Sequence, residues 1–223
     1  MRVVLTGATG FVGGAVLARL LADERVEEVT ALTRRPFATT SPRLTTVVHT
    51  DFTVWSDAVL GEVAAHDALI WTIGATAADE ADPDAHERLT HTTTLALARG
   101  IAARHRPVVF VYLSGMGADP TETARLSWER RTRHLKGRTE RDLQALAGDT
   151  PGFVVRCARP GGVLPASTSP LVRLLLVPIA LPVDDLAHAL VRCALEPAAA
   201  PPTVHHAALR RLAAAGDGPG QRR

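Results

Sequence analysis

Lysine is all but missing from this 223-residue chain: of 25 lysines and arginines, Lys136 is the single lysine. Tyrosine is as scarce, with Tyr112 alone, and aromatic residues make up 4% of the sequence. Cysteine occurs twice, as Cys157 and Cys193, far apart and without metal-ligand spacing. Both are expected to be buried thiols in a reducing cytoplasm. The nine histidines show no ligand spacing either, so no metal site is expected. A serine-hydrolase elbow is excluded, because Gly-x-Ser-x-Gly is absent and Ser114 has Leu113 and Gly115 as neighbours. No apolar run reaches membrane-spanning length. The most apolar stretch, 170–183, is short and carries Arg173, Pro178 and Pro182. The N-terminus shows no charged region, apolar core and cleavage site, which leads to the expectation of a cytoplasmic protein without a membrane partner. A formal charge of +2, with no basic block interleaved with aromatics, argues against a nucleic-acid partner.

What is present is a regular alternation. RVVLT reads as a buried strand, followed by a glycine-rich turn and a helix over FVGGAVLARLLAD. VEEVTALTR and RLTTVVHTD supply the next strands, with a helix near 55–65 and a strand at 67–74. A longer helix at 84–104, a strand at 107–115, a polar helix at 124–147 and a strand at 152–160 follow. Then come a Gly/Pro/Ser loop, the apolar run, a helix LPVDDLAHALVRCALE capped by Asp184 or Asp185, and a short strand PTVHH. Strands alternating with helices imply right-handed crossovers and a doubly wound parallel α/β sheet, Rossmann-like, with helices on both faces. Residues 1–215 are expected to form one domain, with 160–183 as a substrate-covering part and 216–223 as a disordered tail.

TGATGFVG sets Gly7, Gly10 and Gly13 at three-residue intervals between a strand and a helix. A backbone passing this close to a pyrophosphate has no room for Cβ atoms, and the helix N-terminus presents N–H groups and a positive dipole end. Gly7, Thr9, Gly10, Phe11, Val12 and Gly13 are therefore assigned to a dinucleotide. An ordinary strand–helix turn is the competing explanation. Where an NAD site usually ends its second strand with Asp or Glu, this chain has Thr33, Arg34 and Arg35. Guanidinium groups there suit a 2′-phosphate, which favours NADP(H) over NAD(H), against solvated arginines as the alternative. Asp51 and Phe52 are expected beside the adenine, and Ile73 and Gly74 along the ribose side.

Taken together, TGATGFVG, the arginine after the second strand, YLSGMGAD at 112–119, KGRTERDL at 136–143, ARPGG at 158–162 and VDDLAHAL at 183–190 give a chain that resembles an atypical or extended short-chain dehydrogenase/reductase. The resemblance is to the NAD(P)H-binding group that includes NmrA-like proteins, and it covers about residues 1–195. It implies that Ser114 holds a substrate carbonyl and that Lys136 bonds the nicotinamide ribose. In that family a Tyr-x-x-x-Lys pair on one helix face does the acid–base work, the lysine lowering the tyrosine pKa from about 10. Here Thr132 stands in the tyrosine position, and an aliphatic hydroxyl is too weak an acid to replace a phenol. The competing explanation for Lys136 is a surface pair with Glu140, worth about 0.3–0.5 kcal/mol.

Tyr112 lies two residues before Ser114 on one strand, on the same face by alternation, where packing is the commoner role. Trp128 lies eight residues before Lys136, about 12 Å along a continuous helix, and is expected to line a substrate pocket. Three functions stay open: a reductase or epimerase-like enzyme in which Lys136 acts with Ser114 or water; a non-redox cyclase, dehydratase or isomerase using the same cleft; and an NADP(H)-sensing binder without turnover. The partner expected is a small, rather apolar organic molecule near Gly161, Val163, Leu164, Leu171 and Leu174. The alternative for those leucines is core packing on the sheet.

Overall fold

The computed structural model describes residues 1–38, 41–76, 80–123 and 129–215. The chain runs β1 (Arg2–Thr6), α1 (Phe11–Ala22), β2 (Glu28–Thr33), β3 (Leu44–Val48), α2 (Asp57–Val63) and β4 (Ala68–Trp71). It continues through α3 (Pro83–Glu87), a π-helical turn (Arg88–Thr92), α4 (Thr93–Ala102), β5 (Val108–Leu113), α5 (Arg130–Asp149) and β6 (Phe153–Arg159). Last come β7 (Gly162–Leu164), α6 (Pro170–Leu176), β8 (Ala180–Pro182), α7 (Val183–Leu195), β9 (Thr203–His205) and α8 (His206–Ala214).

Seven strands form one sheet in the order β3-β2-β1-β4-β5-β6-β9, every pair parallel. Strand order reverses between β1 and β4, the topological switch point at which open α/β sheets bind ligands. Burial on both faces explains the unbroken apolar strands. Val3, Leu5, Ala68, Ile70, Val109 and Val111 pack on one side with Val16 and Leu20 of α1, Leu186 and Leu190 of α7 and Leu209 of α8. Val4, Leu69, Trp71, Phe110 and Tyr112 pack on the other with Val63 of α2, Leu97 and Ile101 of α4 and Leu143 of α5. Successive residues of one strand thus serve two cores.

The long helix expected at 84–104 is interrupted by the π turn. Thr93 Oγ1 donates to Leu89 O and Thr94 Oγ1 to Thr90 O, both at 2.8 Å, so threonine hydroxyls share the carbonyls that the backbone would otherwise use. Such turns commonly accompany functional sites.

Two expectations need correction. Asp184 and Asp185 do not cap α7: Pro182 occupies the cap without a side-chain bond, and both aspartates sit in the first turn, where they favour the helix dipole. Leu171 and Leu174 are not core, being 66% and 70% exposed on α6, which Ser169 caps. The supposed 216–223 tail lies outside the described residues, as do residues 124–128 at the expected start of α5. Among the described residues no helix is long and apolar enough to cross a membrane.

Candidate functional site

The glycine turn is shaped by close approach. Gly7 has φ +72°, and a Cβ there would come within 2.5 Å of Thr72 Oγ1. Thr72 is fixed by two bonds to the end of β1, its N–H donating to Thr6 Oγ1 at 3.2 Å and its hydroxyl to Thr6 O at 2.7 Å. A Cβ on Gly13 would lie 1.9 Å from Gly7 O, so α1 seats directly on the turn. Gly10 precedes the helix without a side-chain cap, which leaves first-turn N–H groups for a ligand's oxygens. The cradle therefore fits the pyrophosphate of a dinucleotide.

Beside it runs a cleft of about 520 Å³ whose lining includes Gly7, Thr9, Thr33, Arg34, Arg35, Phe52, Ile73, Leu89 and Thr93. Arg34 and Arg35 are the only charged side chains of that lining among the described residues. Thr33 Oγ1 donates to Arg35 O at 2.9 Å and so fixes the turn that carries both. Phe52 is buried as expected. Asp51 is not in the lining: its carboxylate accepts from Thr53 N–H at 2.9 Å and from the Thr53 hydroxyl at 2.6 Å, closing a local turn. Those hydrogen bonds hold Asp51 below the ordinary aspartate value. Gly74 is exposed and open, Phe11 is exposed at the head of α1, and Val12 and Gly13 lie behind the turn rather than in the cleft lining. Leu89 and Thr93 were not anticipated in this lining.

Further along the same carboxyl edge, past β5 and β6, a second cavity of about 340 Å³ collects Ser114, Thr132, Lys136, Gly161 and Val163. Its remaining walls are mostly apolar, from Leu113, Met116, Ala118 and Pro160. Lys136 Nζ donates to Ser114 O at 3.1 Å, bridging α5 to the end of β5. Gly137 permits this seat, because a Cβ there would lie 2.1 Å from the Asp119 carbonyl carbon. Asp119 N–H donates in turn to Arg133 O at 3.0 Å. Ser114 is 2% exposed, and its hydroxyl has no hydrogen-bonding partner among the described residues. A buried, unbonded hydroxyl in a cavity wall suits a ligand's polar atom.

The surface explanation for Lys136 fails, because Glu140 is buried and bonds Arg159 of β6, whose Nε donates to both carboxylate oxygens at 2.9 and 3.0 Å. Tyr112 is fully buried in the core, where burial pushes its hydroxyl far above the ordinary value. It neither lines the cavity nor supplies an acid. Leu164, Leu171 and Leu174 also lie outside the lining, and Trp128 falls outside the described residues. Glu129 was missed. It lines the cavity and accepts a hydrogen bond from Thr132 Oγ1 at 2.6 Å, and its position three residues before Thr132 was a usable signal. Among the described residues no group of three or more His, Cys, Asp or Glu is placed to hold a metal ion.

Curated relatives are similar to about two thirds of the chain. Protein FMP52, mitochondrial, of Eremothecium gossypii is 31% identical over 147 residues, 66% of this chain and 61% of that protein. Its counterpart in Aspergillus clavatus is 32% identical over 149 residues, 65% of this chain and 60% of that protein. The chain thus spans about three-fifths of the length of these relatives. Their names place them in mitochondria, which overturns the expectation of a cytoplasmic protein. A missing leader pattern was too slight a basis for that expectation.

Solved structures agree on the fold. MoeE5 in complex with UDP-glucuronic acid and NAD superposes with a TM-score of 0.70 at 17% identity, over 92% of this chain and 76% of that one. The Bordetella bronchiseptica enzyme WbmF in complex with NAD+ and UDP gives 0.67 at 18% identity, over 92% and 71%. The family model described as NAD(P)H-binding matches residues 7–150, from the first glycine of the turn to the end of α5. The chain belongs to this NAD(P)H-binding family.

Proposed function

We propose that the chain is an NADP(H)-dependent enzyme of the oxidoreductase type acting on a small, rather apolar organic molecule without a catalytic tyrosine. One observation carries the reading: Lys136 and the unbonded Ser114 hydroxyl meet in the wall of an apolar cavity on the same sheet edge as the dinucleotide cleft. When bound, the dinucleotide supplies a donor or acceptor of hydride. Residues of the chain do the rest. The glycine turn and the first turn of α1 hold the pyrophosphate. Arg34 and Arg35 favour a 2′-phosphate, Lys136 orients the ribose, and Ser114 donates to the substrate oxygen.

Titration of the purified protein with NADPH and NADH, followed by nucleotide fluorescence, tests the reading. NADPH should bind the more tightly, and R34A/R35A should weaken NADPH about 10- to 100-fold while changing NADH little, as expected for lost charge-assisted hydrogen bonds of about 1.5–3 kcal/mol. Equal affinities in the wild type would remove the preference for NADP(H). Tight binding without turnover on any carbonyl or alcohol would make the protein a sensor instead.

A further inference from the structure

We infer that Glu129 and Thr132 form the proton relay of the cavity, Thr132 passing the substrate's proton on and Glu129 receiving it; the inference rests on the redox reading above. The relay answers the chemical objection raised by the missing tyrosine. An aliphatic hydroxyl is a poor acid on its own, but a hydroxyl that gains one proton while losing another never has to become an alkoxide. Thr132 is placed to do this. Its hydroxyl donates to Glu129 Oε2 at 2.6 Å, a length typical of a bond to a charged carboxylate. With its own proton directed at Glu129, Thr132 meets a substrate hydroxyl as an acceptor. It is 6% exposed, and it stands one helical turn from Lys136 in the same lining.

The backbone supports the assignment independently of the hydrogen bond. Glu129 has φ 54° and ψ 24°, a left-handed conformation that a residue with a side chain rarely adopts. Such conformations cluster where function needs a side chain held in one direction. Here the result is a carboxylate in the cavity wall at the head of α5. Arg133 and Lys136, both on α5, are the other charged side chains of that lining; β5, β6 and β7 contribute none among the described residues.

In the oxidative direction the step balances as follows. The substrate's O–H proton passes to Thr132 Oγ1 while the threonine proton passes to Glu129 Oε2. The carbon's hydrogen leaves with its two electrons, as hydride, to the oxidised nicotinamide dinucleotide. A carbonyl forms, and Glu129 later releases its proton to solvent. Reduction runs the same path in reverse.

The test uses the full chain with NADP+ and a panel of alcohols running from ethanol to cyclohexanol and benzyl alcohol. Glu129→Gln and Thr132→Val should each lower kcat about 100-fold, the usual worth of positioned acid–base catalysis, with NADP+ affinity unchanged. Thr132→Ser should restore most of the rate, since it keeps the hydroxyl. The acid limb of the wild-type pH–rate profile should vanish in Glu129→Gln. A readout without cofactor or substrate accompanies these: the carboxylate infrared band of Glu129, identified by its loss in Glu129→Gln, should shift in Thr132→Val and stay in place in Thr132→Ser. Turnover by Glu129→Gln within threefold of wild type, an unmoved band in Thr132→Val, or no turnover by a wild type that does bind NADP+ would each overturn the relay. A wild type that binds neither dinucleotide would overturn the redox reading instead, and the infrared comparison would still report on the Glu129–Thr132 bond.

Discussion

Lys136 and Thr132 share one face of α5, yet they respond differently to substitution. Lys136→Ala should weaken dinucleotide binding measurably and lower turnover, because the ammonium that spans from α5 to Ser114 O is lost. Lys136→Arg should not rescue it: a planar guanidinium on a longer fork cannot take the place of a compact ammonium in a seat fitted to it. Equal affinity of wild type and Lys136→Ala for NADPH, read by fluorescence titration, would remove the ribose role. The cysteines are buried core residues, with burial pushing the Cys193 thiol up to about 12.

At the scale of the element, α5 depends on two contacts. Gly137 lies against Asp119, so Gly137→Ala should force the helix off the loop after β5, with a loss of about 1–3 kcal/mol by overpacking, measured by urea unfolding. Glu140 and Arg159 form a buried ion pair between α5 and β6. Glu140→Ala should cost more, about 3–5 kcal/mol, because it strands the Arg159 charge. The sequence showed some of this and hid the rest. TGATGFVG declares both strand and turn because glycine spacing is a local property, and the strand–helix alternation yields the doubly wound order by the same logic. Lys136 and Ser114 were found through the family's motif order. Glu129 belongs to none of the family's motifs, so only its spacing from Thr132 marks it. Glu140 looked like a helix-surface partner of Lys136 until its pairing across to β6, a contact 19 residues distant in sequence, was visible. Leu89 and Thr93 share one helix face, but which cleft that face borders is set by how the helix packs on the sheet.

Across the whole molecule, Arg25 ties the end of α1 to the end of α7. Its guanidinium bonds Asp23, which is buried, and its Nη1 reaches Glu196 at 2.6 Å. The Arg25 hydrogen bond holds Asp23 below the ordinary carboxylate value, and Arg192 followed by Arg25 does the same for Glu196. Both carboxylates are lowered on folding, so their stabilisation is complete above the unfolded value of about 4 and is lost as pH falls through the lowered ones. Arg25→Ala should therefore lower the melting temperature at pH 7 and narrow its gap from wild type under acid conditions, as followed by circular dichroism.

One further property follows from α6. Leu171, Val172, Leu174, Leu175 and Ile179 all face water within nine residues, and Met116 adds a sixth exposed apolar side chain at the cavity wall. Sulfate strengthens the tendency of such a patch to leave water. The protein should accordingly salt out early and be retained on a phenyl matrix, and the double change L171E/L174K should delay precipitation without altering the unfolding midpoint.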